Sequence, residues 1–428
     1  MKVRQLLILL LFLCPFLSNA QLKGIMNKVK NKVNQRVDKK VDKEIDKALN
    51  KAEGKEGPAT APVKTSAPVA ANESEYEGNS LKSFSKFDFI PGDLILYADD
   101  FEQDEIGELP LNWNTGGKAE LVTLSSIPGK WLRLYQNALY LTSNKTEFSR
   151  NFTVEFDLIL QLKNGGYSYP YVSFGFLSSN DQPANDNQFL NGYRKFQSTE
   201  LYVRPSEGGY SNIYLETYQD GKRLFISEQQ TLAKLEKYYG RVAHFAIQVQ
   251  EKRIRIWVND EKKYDLPMAG ATAYIFNNLF FKIHHSGYKE DQLGFYIGNL
   301  KVATGKPDAR HKLVEDGKFT TTGILFDFQS AVIRPESYGV LKEIAKVLKE
   351  NTSIKVKVIG HTSSDGDDAA NMELSKKRAA AVKDALINEF SIEPSQLETE
   401  GKGETAPIAD NKTKEGKALN RRVEFIKL

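Results

Sequence analysis

Between Phe152 and Leu160 every second residue is large and apolar. Phe152, Val154, Phe156, Leu158 and Leu160 are large and apolar, and Thr153, Glu155, Asp157 and Ile159 stand between them. Side chains of a strand point alternately to its two faces, so this period of two predicts a long β-strand with one face in a core. Phe245-Ala246-Ile247-Gln248-Val249 and Ile254-Arg255-Ile256-Trp257-Val258 flank Glu251-Lys252 and read as a hairpin, and Asn259-Asp260 turns the chain again before Tyr264. Similar runs with short polar turns continue from about Phe87 to Ala303, with no helical period between them. Strands in such number, joined closely, can bury their apolar faces only against one another, which predicts an antiparallel sandwich. The 24 Phe and 19 Tyr suit it, since aromatic side chains pack well on pleated surfaces.

Within this region Arg253 to Pro267, Asp99-Asp100-Phe101, Gly129-Lys130-Trp131-Leu132 and Phe295-Tyr296-Ile297-Gly298-Asn299-Leu300 resemble a concanavalin-like or laminin-G-like jelly roll. That fold carries sugar-binding modules, glycoside hydrolases and adhesion domains alike, so the site must decide. A retaining hydrolase needs two carboxylates about 5 Å apart. Glu102, Asp104 and Glu108 lie in a stretch without strand pattern and read as solvated loop; no carboxylate pair is assigned on a strand. His284 and His285 are adjacent on a β-patterned run and face opposite sides, with no third ligand spaced near them, so no metal is assigned there. Asp99, Asp100 and Asn299 are the oxygen ligands from which a calcium site of the concanavalin kind would be built, though oxygen-rich turns are common. Trp113, Trp131 and Trp257 read as core or sheet-face packing. Tyr167, Tyr169 and Tyr171 alternate onto one side and form the better sugar platform, unless they pack an edge strand.

A second region is organised differently. Ile354-Lys355-Val356-Lys357-Val358 is a β-patterned run that stops at Gly360, which makes His361 to Asp368 the loop leaving a strand. From Asn371 the residues Asn371, Leu374, Ser375, Arg378, Val382 and Ala385 recur at helical steps. Asn371 and Arg378 therefore share a face near a loop rich in Asp and Ser. An arginine grips a carboxylate bidentately and loop carboxylates hold an ammonium, so the place suits a small zwitterion.

Gly360-His361-Thr362, Asn371-x-x-Leu374-Ser375-x-x-Arg378-Ala379, Gly401-x-Gly403, Pro407, Asn411-x-Thr413 and Asn420-Arg421-Arg422-Val423-Glu424 together resemble the OmpA-like C-terminal peptidoglycan-binding domain. The resemblance covers about the last quarter of the chain and implies a compact α+β unit. It also implies that a loop Asp after His-Thr and the helix Arg hold the diaminopimelate of the peptide stem. The Arg is Arg378, and Arg421 matches a further ligand-facing position. Ser363 stands where the Asp belongs, and a hydroxyl gives a neutral hydrogen bond where a carboxylate gives a charged one, about twice as strong. Asp365 and Asp327 are the acids that would replace it. The peptidoglycan-binding set implied is thus Asp327, Thr362, Ser363, Asp365, Asn371, Arg378 and Arg421. Ile324 to Phe328 reads as a strand, Pro335 as a helix start before Leu341, Ile344, Ala345 and Leu348, and short strands follow near Leu397 and at Val423 to Leu428.

The remaining stretches connect and address these two domains. Lys2 and Arg4, the apolar run Leu6 to Leu17 and Ser18-Asn19-Ala20 read as a signal peptide over residues 1–20, leaving Gln21 first after cleavage. Cys14 is the only cysteine in the chain and lies in this leader; bulky Phe12 and Leu13 before it fit poorly with lipid attachment. Residues 21–52 form a basic segment in which Ile25, Val29, Val33, Val37, Val41, Ile45 and Leu49 recur every fourth residue. Such a line winds around a helix, which disfavours a heptad coiled coil and leaves a solvated spacer or a helix touching anionic lipid or wall polymer. Residues 53–86 are rich in Ala, Pro, Ser and Thr and read as a disordered linker, and 304–317 as a second linker between the sandwich at 87–303 and the domain at 318–428. No later run is long and uncharged enough for a membrane-spanning helix. The net charge of +4 does not point to nucleic acid.

The fold class expected is therefore multidomain, an all-β jelly-roll sandwich followed by an α+β OmpA-like domain. The function expected is that of a non-enzymatic envelope protein without cofactor, in the periplasm or at the outer membrane of a diderm bacterium. It binds peptidoglycan and presents the sandwich to a glycan or an envelope protein. The alternative is an exported carbohydrate-active enzyme placed on the wall by its last domain.

Overall fold

The computed structural model describes residues 88–142, 146–259, 261–305 and 308–428. The signal peptide, the basic segment 21–52 and the linker 53–86 lie outside these residues.

Two large antiparallel sheets make up the first part. One orders the strands Glu261–Leu266, Arg253–Val258, Val242–Gln250, Asn151–Gln161, Gly294–Thr304, Lys130–Leu134 and Ala119–Thr123, with Leu94–Asp99 also pairing Gly294–Thr304. The other orders Lys222–Ile226, Asn212–Gln219, Ser198–Arg204, Val172–Leu177, Asn278–Ile283, Ala138–Thr142 and Trp113–Thr115. The Glu251-Lys252 hairpin is present, with Gln250 opposite Arg253 and Phe245 opposite Val258. Alternate residues of the two sheets meet in one core: Phe156 lies against Phe174 at 4.5 Å and edge-on to Phe281 at 5.2 Å. All three tryptophans are buried.

The long strand Asn151–Gln161 departs from the half-buried expectation. Thr153, Glu155, Asp157 and Ile159, on the face away from the core, are buried as fully as the apolar set. Their cover comes from the rest of the chain. Phe89 packs on Trp257 and Ala246 of that face, and Arg334 of the C-terminal domain reaches Asp157.

The C-terminal domain is a four-stranded sheet in the order Lys318–Thr321, Val423–Lys427, Val356–Gly360 and Leu397–Gly401, with helices Tyr338–Glu350 and Asp368–Asn388 packed on its core. Gly360 and Gly401 lie opposite each other on neighbouring parallel strands. A Cβ on Gly360 would stand 2.3 Å from the Ser375 carbonyl oxygen, and one on Gly401 2.4 Å from the Lys376 nitrogen. Bare glycine backbone is what lets helix Asp368–Asn388 lie directly on the sheet. Two expectations change here. Ile324 to Phe328 is not a strand of the sheet: Phe326 makes one isolated bridge to Ile333, and the edge is taken by Lys318–Thr321. The stretch 304–317 is not a plain linker, because helix Ala309–Val314 buries Ala309 and Leu313 in the C-terminal core. Among the described residues no helix is long and apolar enough to cross a membrane.

Candidate functional site

The loop 361–367 leaves the end of strand Val356–Gly360 and enters helix Asp368–Asn388, whose N-cap Asp367 accepts a hydrogen bond from the Ala370 amide at 2.9 Å. Backbone ties fix the loop at its start: His361 N donates to Arg422 O at 3.0 Å and Thr362 N to Gly403 O at 2.9 Å. Thr362 is buried and its Oγ1 has no hydrogen-bond partner among the described residues.

Ser363 and Asp365 act as a pair. The buried Ser363 hydroxyl donates to Asp365 Oδ2 at 2.9 Å, so the carboxylate reaches the Ser363 position through one hydrogen bond. Lys417 Nζ is bonded to the other oxygen of Asp365, and Arg421 Nη1 is 3.8 Å from Oδ2. Partial burial alone would raise the Asp365 pKa; the bonds from Lys417 and Ser363 outweigh it, so the group lies below its usual value and is ionised at neutral pH.

Asn371 is turned inward rather than out beside Arg378. Its Nδ2 donates to Asp365 O at 3.0 Å and to Glu404 Oε2 at 2.6 Å, with Ser363 O at 3.4 Å, so it shapes the loop. Arg378 faces the turn Asp327–Ser330. Its Nε donates to Ser330 O at 2.9 Å and its guanidinium lies 4.9 Å from the Phe326 ring centre. No carboxylate pairs with it among the described residues. Burial, and then the charge of nearby Arg421, push its pKa down to about 10. A partly desolvated guanidinium next to a second one favours an anion between them. Asp327 sits on this same turn, exposed, with its carboxylate unpaired among the described residues.

Arg421 and Arg422 part company. Arg422 points inward and pairs with Glu424 at 2.7 Å, whereas Arg421 points to the site and donates to Asp100 of the sandwich at 2.9 Å. The structure thus links Ser363, Asp365, Asn371 and Arg421, puts Arg378 within the field of Arg421 and against the turn that carries Asp327, and buries Thr362. Lys417 and Asp100 were missed. Lys417 stands four residues before Arg421 on helix Lys414–Asn420, a spacing that places both on one face; no signal marks Asp100.

The sandwich candidates fare differently. Tyr169 is buried against Tyr288 while Tyr167 is exposed, so the three tyrosines do not form one platform. Asp99 accepts from Trp113 and Lys414 and Asp100 from Arg421, which engages both carboxylates considered for calcium with protein donors, while Asn299 turns its amide nitrogen to Asp157. Among the described residues no group of three or more His, Cys, Asp or Glu is placed to hold a metal. Two carboxylate pairs escaped the sequence reading. Glu155 and Asp157 are buried with His244, Lys301 and Arg334, and both lie well below the usual carboxylate range despite burial because of these cations. Glu200 and Glu216 stand directly opposite each other on neighbouring strands, with Arg194 Nη2 at 2.9 Å from one and 3.9 Å from the other. Glu200 is fully buried, and its Oε2 takes Tyr193, Arg194 and Tyr202 as donors. On the same outer face Tyr214 stacks on Tyr202 at 4.4 Å and Arg204 lies over Tyr171.

Residues 325–421 match the model of the OmpA family. Outer membrane porin F of Pseudomonas aeruginosa is 45% identical over 101 residues, which cover 24% of this chain and 29% of that protein. The probable lipoprotein YiaD of Escherichia coli (strain K12) is 46% identical over 102 residues, covering 24% of this chain and 46% of that protein. Among solved structures, the peptidoglycan-associated lipoprotein from Burkholderia pseudomallei is 28% identical with a TM-score of 0.23, covering 24% of this chain and 88% of that one. The chain therefore spans less than half the length of these two curated relatives, and the likeness falls on its C-terminal part, an OmpA-family domain.

Proposed function

We propose that this is a non-enzymatic protein of the cell envelope whose C-terminal domain binds peptidoglycan non-covalently by gripping the zwitterionic end of a stem-peptide diaminopimelate. Arg378, with Arg421 beside it, takes the carboxylate. Asp365, backed by Ser363, takes the ammonium that the family gives to a loop Asp, with Asp327 as the outer acid. The observation that carries this reading is Arg378, a half-buried cation without a carboxylate partner among the described residues, within the electrostatic reach of Arg421. The motif resemblance and the OmpA-family match support it. The relatives' printed names place them at the outer membrane or as a lipoprotein, which fits a periplasmic or outer-membrane-associated location.

The sandwich, which we read as a concanavalin-like jelly roll, presents its outer tyrosine face to a glycan or an envelope protein. The enzyme reading draws on Glu200 opposite Glu216. Glu200 has no exposed surface, so a substrate oxygen has no path to it even though its Oε1 lacks a hydrogen-bond partner among the described residues, and the anchor is the better account. The test is co-sedimentation of the full chain with purified sacculi, with free diaminopimelate as competitor, together with an assay for sugar release. Competable binding without release is expected. Release abolished by Glu200→Gln would establish the enzyme instead.

A further inference from the structure

We infer that Asp100, a residue of the sandwich, is a positioning residue of the zwitterion site, so that the site is completed by both parts of the chain. This rests on the reading of the C-terminal domain given above. Arg421 is shared between two carboxylates: Nη2 donates to Asp100 Oδ2 at 2.9 Å, while Nη1 stands 3.8 Å from Asp365 Oδ2. Asp365 already holds Lys417 and the Ser363 hydroxyl. Released from Asp100, Arg421 would close on Asp365 and leave that carboxylate surrounded by two cations and a hydroxyl, with little left for a ligand ammonium. Asp100 draws Arg421 away and keeps Asp365 open.

The placement of Asp100 is built rather than incidental. Phe101 next to it has φ 62, a left-handed conformation that a bulky residue avoids, and its ring is fully buried near Trp113. Asp99 Oδ1 accepts the Phe101 amide at 3.2 Å, which closes the turn. The same turn clamps helix Lys414–Asn420 at its other end. Lys414 Nζ lies 2.7 Å from Asp99 and 2.5 Å from Asp104, while Ile95, Ala98 and Ala303 pack on Ala418 and Leu419 between. Helix, turn and Arg421 are thus held as one piece.

The test measures binding of two probes to the full chain by calorimetry: diaminopimelate, and pimelate, which has the carboxylates without the ammonium groups. Asp100→Asn keeps the shape and removes the charge. It is expected to weaken diaminopimelate about tenfold, or roughly 1.4 kcal/mol, and to leave pimelate as tight or tighter, because a freed Arg421 still serves a carboxylate. Glu102→Gln, an exposed neighbour, should change neither. Equal loss for both probes would mean that Asp100 only supports the fold, and unchanged diaminopimelate binding would overturn the inference alone. Failure of the unaltered chain to bind diaminopimelate or sacculi would sink the reading beneath it as well.

Discussion

Arg334→Ala removes the charge that the C-terminal domain inserts into the buried face of the first sheet. Asp157, 1% exposed, is bonded by Arg334 Nη1 at 3.0 Å and Nη2 at 3.1 Å, by His244 Nδ1 at 2.7 Å and by Asn299 Nδ2 at 2.8 Å. Breaking a buried ion pair by deleting one partner costs about 3–5 kcal/mol. Half of the hydrogen bonds to Asp157 survive here and His244 remains a cation beside it, so the lower end applies, about 3 kcal/mol. The assay is urea unfolding of the full chain followed by tryptophan fluorescence, with Asp157→Asn and the double variant completing a cycle. A chain of this size need not unfold in one step, so the earliest transition is the one to follow. The expected result is a coupling energy of roughly 1.5 kcal/mol or more, with the double variant less damaged than the sum of the single ones. Additivity within about 0.5 kcal/mol would refute the claim that this bidentate pair fastens the two parts.

The same network sets a pH window. Burial alone would lower the His244 pKa, yet the bonds from Asp157 and Glu155 carry it from 6.5 up to about 9, so its contribution is complete below 6.5 and lost as pH rises through 9. Glu155, held near 2 against burial by Lys301 and His244, contributes above its usual 4.5 and loses this as pH falls toward 2. Unfolding midpoints should therefore plateau between these limits, and His244→Gln should remove the alkaline slope; an unchanged slope would contradict the assignment. Gly360→Ala should destabilise the C-terminal domain by about 1–3 kcal/mol in thermal melts, since its Cβ would stand 2.3 Å from Ser375 O; a neutral result would show that the helix is free to shift. Asp365→Asn should weaken sacculus binding about tenfold and Ser363→Asp added to it should restore most of the loss, whereas no effect of Asp365→Asn would remove the ammonium site from Asp365.

Much of the C-terminal domain was legible because its constraints are local. The strand pattern that stops at Gly360 marks the loop, and the spacing of Arg378 follows from one helical turn after another, whereas the close helix-on-sheet approach at Gly360 and Gly401 and the Asp367 cap emerge only in the structure. The sequence turns Asn371 outward beside Arg378 because a buried amide and an exposed one share the same helical period; only its three acceptors in the loop and at Glu404 show which way it faces. In the sandwich, alternation revealed the strands and the hairpin but not the second burial of Asn151–Gln161. Thr153, Glu155 and Asp157 look like solvent-facing residues, and the groups that meet them lie far along the chain, at Gly92, Lys301 and Arg334. For the same reason no local pattern marked Asp100 as a partner of Arg421, or Glu200 as a neighbour of Glu216. Cross-strand and interdomain pairs depend on register and docking, which a single sequence does not display. Helix Ala309–Val314 reads as linker in the sequence because six residues carry too little period to outweigh their charges.

The most direct test of the peptidoglycan reading is the affinity of the full chain for purified sacculi, with Arg378→Ala compared against the unaltered protein. Arg378 makes one backbone hydrogen bond and lies over Phe326, so its loss should leave the melting temperature nearly unchanged. Binding is expected to fall at least tenfold, more than about 1.4 kcal/mol, while the fold survives. Binding that is unchanged in the folded variant would contradict it.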